Sequence, residues 1–253
     1  GVAGAQLEHV ARLEVHRDGA ARVRARAAPA PHPLRAHGPR RRCIPVLIHR
    51  CQLLLRRARR PRIAVGSEVL VDARQIDLGA EEQLGEAYRA IVPEATVPAL
   101  VLDDGTVLCS VIAIAHYLES QYPDKPLLGR TPEERARVLN WNHRLYSDIF
   151  AAAADAFRNG HPNYVDRALP GPVNVAQLPE LVERGRARVI AGLEIINEVL
   201  AESTYLAGDA FSFADIDLLA AIDFAKWGAR LTPDESLTHL HRWRGEAKAA
   251  LTG

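Results

Sequence analysis

The chain has 253 residues, 48% of them apolar and 25% charged, and its 32 basic side chains nearly cancel 31 acidic ones for a net charge of +1. This composition excludes a disordered, collagen-like or coiled-coil chain, and the length allows one large domain or two modest ones with room for a buried core. No apolar run reaches the roughly 18 residues of a membrane span, and the near-zero charge points to neither nucleic acid nor membrane as a partner.

The charge is unevenly spread. Residues 1–62 hold 15 arginines, no lysine and 3 acids, giving +12, and the rest of the chain carries −11. The first 42 residues are mostly Ala, Arg, Pro, His and Gly with no aromatic side chain. Nucleic-acid stacking needs aromatics, and a secretory leader needs an apolar stretch of about 7–15 residues. Residues 1–42 are therefore read as an unstructured basic extension, or as sequence from a wrong start or frame. Three cysteines, Cys43, Cys51 and Cys109, form neither a disulfide framework nor a metal-ligand spacing. A reducing, cytoplasmic setting follows from them, and the scattered histidines give no reason to expect a metal.

Order is expected from residue 43 onward. Ile44–Ile48 is short, apolar and β-branched, and reads as a buried strand. Residues 53–65 read as a helix bent or stopped by Pro61. Val69–Ile76 alternates as a second strand, and residues 81–91 read as a helix. Val97–Leu102 and Thr106–Cys109 flank Asp103-Asp104-Gly105, a β-hairpin signal. Ser110 then stands at the N-cap position of a helix over 111–121. The order is βαβα followed by ββα, which makes residues 43–123 a small α/β domain. Pro123, Pro126, Gly129 and Pro132 punctuate a connector. Beyond it residues 131–253 read as all-helical, with segments at 133–157, 178–202, 212–228 and 237–250. The fold class is α/β followed by all-α.

Three segments then carry a family resemblance: Ala95–Leu100 with its Val97-Pro98 pair, Asp103–Leu118, and Ala207–Leu218. In this order and spacing the chain resembles the cytosolic glutathione transferases, from about residue 68 to residue 245. The resemblance implies an N-terminal thioredoxin-like domain followed by a helical domain. It also implies a cis peptide before Pro98, which turns the Val97 backbone toward the cysteinyl part of glutathione as an added strand would. Ser110 is implied to bind the γ-glutamyl carboxylate at the positive end of its helix, a role compatible with simple capping. The residue before that serine is commonly Glu or Gln in the family and is Cys109 here, a weak hydrogen-bond partner. Val97, Pro98, Cys109 and Ser110 are thus the expected glutathione-binding residues. Ser212-Phe213-Ala214-Asp215 has the form of a capping box with Phe211 and Ile216 at the staple positions, a structural motif without chemistry.

The family activates the glutathione thiol with a Ser, Tyr or Cys just after the first strand, because the thiolate is the nucleophile. The corresponding loop, residues 48–63, contains no Ser, Thr or Tyr, so Cys51 is the catalytic candidate. It is open whether Cys51 is a thiolate beside Arg50 and Arg56 or only a small residue at a strand end. Trp141, Arg144 and Asp148 share one stretch of a long helix at i,i+3 and i,i+4 spacing. The resemblance implies that this helix faces the cleft between the domains, so they are read as lining a second-substrate pocket or a dimer interface, or else as a core tryptophan beside a surface ion pair. Trp227 and Trp243 read as packing, and Arg242 and Arg244 as solvated surface. The resemblance implies a glutathione transferase with glutathione as co-substrate, a small electrophile as second substrate, a homodimer and no metal. Two other readings stay open: a glutathione-dependent thiol–disulfide oxidoreductase using Cys51, and a non-catalytic binding protein of the same fold.

Overall fold

The computed structural model describes residues 76–252 except 103 and 125, together with two short strands, β1 (Glu14–Val15) and β2 (Ala21–Arg22). These two pair antiparallel, Glu14 with Arg22 and Val15 with Ala21, a contact not expected in the basic extension. The expected strand at 44–48, the helix at 53–65 and all but the last residue of the strand at 69–76 lie outside the described residues.

The helix expected over 81–91 is instead a 3-10 turn (Glu82–Leu84) and a single helical turn, α1 (Glu86–Arg89), separated by Gly85 in an extended conformation. Glycine gains no side-chain contact from a helix and loses the most backbone entropy there, so the segment breaks where it stands. The hairpin forms as read: β3 (Leu100–Val101) pairs antiparallel with β4 (Val107–Leu108), Leu100 opposite Leu108 and Val101 opposite Val107. Its turn needs Gly105 at φ 88°. The Asp104 carboxylate accepts the Thr106 N–H at 2.8 Å, a local closure typical of Asp in turns. Helix α2 (Val111–Gln121) follows and buries Ile114 and Ala115.

The connector is held by one carboxylate. Glu119 on α2 accepts the N–H groups of Leu127 and Leu128 at 2.6 and 2.9 Å. Next comes α3 (Pro132–Leu145), with proline in its first turn and Thr131 accepting the Glu134 N–H. A π-helical turn (Tyr146–Phe150) joins it to α4 (Ala151–Gly160), so the segment expected at 133–157 is one long rod with a wide turn in the middle. Helix α5 (Glu180–Val199) returns antiparallel to α4. Helix α6 (Phe213–Phe224) ends in a second π turn (Ala225–Ala229), and α7 (Thr238–Thr252) closes the bundle.

Helix α6 runs through the centre, with eleven of its twelve residues buried, Asp215 and Asp217 among them. Around it Leu145, Ile149, Phe157, Val189, Leu193 and Trp243 form the main core. A second, smaller cluster of Ala115, Leu128, Val138, Phe213 and Ile216 joins α2 to the helical bundle. The two domains therefore share an apolar seam that fixes where α2 and its N-terminus sit.

Candidate functional site

The edge of the first domain carries the expected glutathione residues. The Val97–Pro98 peptide is cis, and among the described residues nothing hydrogen-bonds the Val97 backbone. The approach to it is firmly held. Val92 and Ala95 are buried, Ala95 takes a left-handed φ of 54°, and the Tyr88 hydroxyl donates to the Thr96 carbonyl at 2.6 Å.

Ser110 occupies the N-cap of α2, with extended φ and ψ and its carbonyl accepting the Ile114 N–H at 2.9 Å. Its hydroxyl makes no capping bond and is exposed. The serine thus starts the helix with its backbone while its side chain stays open to solvent beside the first free N–H groups.

Cys109, one residue earlier, is half-buried and donates its thiol to Glu94 Oε2 at 3.7 Å. Burial, and after it the Glu94 charge, pushes the Cys109 thiol up, so at neutral pH it stays protonated and is a donor, not a nucleophile. Burial is also the largest cause lifting Tyr88, pushed up to about 12, with Cys109, Glu82 and Glu94 adding to it. Tyr88 and Glu94 were not among the residues expected from sequence. Glu94 lies in the turn before the Val-Pro pair, where one charged side chain carries no periodic signal.

Trp141, Arg144 and Asp148 are brought together. The Arg144 guanidinium lies 4.7 Å from the Trp141 ring centroid, a cation–π distance, and its Nε is 3.7 Å from Asp148 Oδ2. They line a groove with Leu145, Ile149 and, on α5, Arg188, Gly192 and Ile195. Every residue lining it belongs to the helical domain. A different face of the same rod carries an aromatic row that sequence reading missed. Tyr146 stacks on Phe150 at 6.4 Å, Phe150 on Phe224 at 4.6 Å, and Phe224 on Trp227 at 6.1 Å. The signal was present as Tyr146 and Phe150 at i,i+4, but only the tertiary fold supplies Phe224 and Trp227.

Cys51 lies outside the described residues. Among the described residues no group of three or more His, Cys, Asp and Glu side chains is placed to hold a metal ion.

Comparison with known proteins matches the region around this edge, residues 58–126, to the sequence family described as glutathione S-transferase, N-terminal domain. Residues 160–247 match the family described as glutathione S-transferase, C-terminal domain. Glutathione S-transferase 2 of Saccharomyces cerevisiae is 31% identical over 180 residues, covering 70% of this chain and 75% of that protein. Glutathione S-transferase GstA of Escherichia coli O157:H7 is 28% identical over 142 residues, 56% of this chain and 63% of that protein. Among solved structures, a glutathione S-transferase domain-containing protein of Marinobacter aquaeolei VT8 aligns with a TM-score of 0.68 at 30% identity, over 80% of this chain and 92% of that one. Gtt2 of Saccharomyces cerevisiae aligns with a TM-score of 0.65 at 26% identity, over 80% and 91%. The expected architecture, a thioredoxin-like domain followed by a helical one, is thereby shown. With both of its halves matched in order, this chain belongs to the glutathione S-transferase family.

Proposed function

We propose that the chain is a glutathione transferase that binds glutathione along the edge formed by Val97, Pro98, Cys109 and Ser110 and promotes attack of its thiolate on a small electrophile. The observation that carries this is the exposed, uncommitted Ser110 hydroxyl at the N-terminus of α2, one residue from the Cys109–Glu94 contact. A helix N-terminus favours an anion, and a hydroxyl with no internal bond is free to donate to it. In the reaction the glutathione thiol loses its proton to solvent, its sulfur forms a bond to the electrophilic carbon, and the leaving group departs with its electron pair. Rate enhancement comes from lowering the thiol pKa and from holding sulfur and carbon together.

Ser110→Ala tests the reading. Loss of a hydrogen bond to a charged group costs about 1.5–3 kcal/mol, so glutathione affinity should fall roughly ten- to a hundredfold while the circular dichroism spectrum is unchanged. Equal binding by wild type and variant would refute the assignment of Ser110. The second reading, thiol–disulfide exchange at Cys51, is separated in the same experiment by Cys51→Ser. That change abolishes disulfide exchange if Cys51 is the nucleophile and leaves aryl-halide conjugation untouched if it is not.

We further propose a homodimer, with the Trp141–Arg144–Asp148 groove as part of its interface rather than as the second-substrate pocket. Its lining comes from the helical domain alone, and Ile195 within it is 46% exposed, apolar surface that a partner would cover. Ile195→Glu should convert a species of twice the 27.7 kDa chain mass to a monomer in sedimentation equilibrium. A variant that keeps the wild-type mass would place the interface elsewhere. The unpaired Cys109 thiol suits a reducing compartment and supports a cytoplasmic location.

A further inference from the structure

Unused hydrogen-bond donors gather around one ring at the end of α4. The Arg158 and Arg167 guanidiniums lie 4.8 and 5.5 Å from the Tyr164 ring centroid, and the His161 ring lies 5.7 Å from it. Arg167 pairs with Glu81. Arg158 has no such counter-ion. Among the described residues no carboxylate lies within ion-pair distance of it, neither Asp155 on its own helix nor Asp166 in the loop. Its acceptor is the Arg167 carbonyl, which takes Nη1 at 2.8 Å. Burial is the largest cause drawing the Arg158 guanidinium below its ordinary value, and the Arg167 charge adds to it against an opposing effect of Tyr164. The Tyr164 hydroxyl makes no hydrogen bond among the described residues. The Asn163 N–H donates to His161 Nδ1 at 3.2 Å, so in the neutral ring Nε2 carries the proton and is a donor. The segment is firmly tied: Gln177 Nε2 donates to the Arg158 and His161 carbonyls at 2.6 and 2.9 Å, and the Leu178 N–H to Asn159 Oδ1 at 2.8 Å.

A half-buried guanidinium without a counter-ion is completed by an oxyanion, and its planar fork matches the two oxygens of a carboxylate. The two guanidiniums and Glu81 together carry one net positive charge, which a monoanion balances and a phosphate dianion exceeds. On the same loop Val165, Leu169 and Val173 are 61%, 51% and 69% exposed, apolar surface for the body of such a molecule. We propose that the end of α4 and the loop after it bind a small organic monocarboxylate, its acid group held by Arg158 with donation from the Tyr164 hydroxyl and His161 Nε2. The site shares no residue with the Val97–Ser110 edge or with the Trp141–Arg144–Asp148 groove.

The test titrates the full chain with benzoate and with benzamide, probes of one shape that differ in charge, and follows the backbone amides by NMR. Wild-type protein should bind benzoate at least about tenfold more tightly than benzamide, the range for one charge-assisted bond, with the largest shifts at Asn163, Tyr164 and Arg167. Arg158→Gln should bring the two affinities level. Tyr164→Phe keeps the ring under both guanidiniums, and with it the fold of the loop, and should cut the preference about threefold or more. Arg184→Gln, which removes an exposed charge of the same sign on α5, should keep it. Because the measure is a ratio within each variant, partial loss of folded protein does not imitate it. Saturating glutathione separates two sources of the acid group: benzoate that stays bound identifies a separate small acid, and benzoate that is displaced identifies a carboxylate of glutathione itself at Arg158. A wild-type protein without the preference, an Arg158→Gln or Tyr164→Phe protein that keeps it in full, or an Arg184→Gln protein that loses it equally would overturn the assignment.

Discussion

Asp215 shows what one residue can organise. Its Oδ1 accepts the Leu206 N–H at 2.9 Å and the Trp243 indole N–H at 2.8 Å. Its Oδ2 accepts the N–H and the hydroxyl of Ser212 at 2.9 and 3.0 Å. The Ser-x-x-Asp pattern announces only the last pair. The other two donors come from the loop before α6 and from α7, so the carboxylate ties three elements at a point sealed from water. Only an acceptor with two oxygens serves four donors. Asp215→Asn puts an amide N–H₂ against one pair of them, and a stranded buried donor costs about 1–3 kcal/mol. We expect a loss of roughly 2–4 kcal/mol, seen as a fall in melting temperature of about 5–15 °C for a chain of this size. A fall below about 2 °C would mean that water or a shift of Trp243 replaces the lost acceptor.

At the level of elements, the sequence carried the helices well and their contacts poorly. Amphipathic spacing and punctuation placed α3 to α7 within a few residues, and the Asp-Asp-Gly signal placed the hairpin. Neither π turn was foreseen, because a wide turn keeps the apolar face of the rod and leaves no mark on composition. Gly185 and Gly192 are buried within α5. In the structure a Cβ at Gly185 would lie 2.9 Å from the Ala156 backbone nitrogen, and one at Gly192 would strike the Ile149 side chain. These glycines set how closely α5 packs on the preceding rod. Arg242 was read as solvated surface, yet its guanidinium donates to the carbonyls of Leu200 and Ser203 at 2.5 and 2.9 Å. A cation there answers the free carbonyls at the C-terminus of α5. Such a role depends on α7 crossing that helix end, which no local pattern states. The site divides in the same way. Val97, Pro98 and Ser110, the residues of the proposed glutathione edge, stand in contiguous motifs, whereas the Cys109–Glu94 contact arises only when the hairpin brings Cys109 back to Glu94.

Across the whole molecule, two of the contacts that join the domains among the described residues differ in strength. The apolar seam of Ala115, Leu128, Val138, Phe213 and Ile216 is buried, and each side chain of this size contributes on the order of 1–3 kcal/mol. The second contact is polar. Arg167, in the loop after α4, pairs with Glu81 of the first domain. Its guanidinium also sits 5.5 Å from the Tyr164 ring centroid, and its carbonyl accepts Arg158 Nη1 at 2.8 Å. The Arg167 and Glu81 side chains are 21% and 54% exposed, so their ion pair is worth at most about 1 kcal/mol. Its consequence is local. The loop closes on itself through the Ala168 N–H to Val175 O and Val175 N–H to Asp166 O bonds, at 3.0 and 2.8 Å. Its Gly171 also approaches the Glu94 backbone, so that a Cβ there would lie 3.7 Å from the Glu94 carbonyl oxygen. Arg167→Ala should therefore lower the melting temperature by no more than about 4 °C. It should markedly speed amide exchange at Ala168 and Val175 and leave α5 protected, since local opening costs less than global unfolding. Glu81→Gln should do the same more weakly, and about 0.5 M salt should imitate it by screening the pair. Salt should not imitate Arg167→Ala, whose lost ring contact is not a long-range charge effect. If Arg167→Ala instead exposes α5 amides as readily as the loop, the polar contact and not the seam holds the domains together.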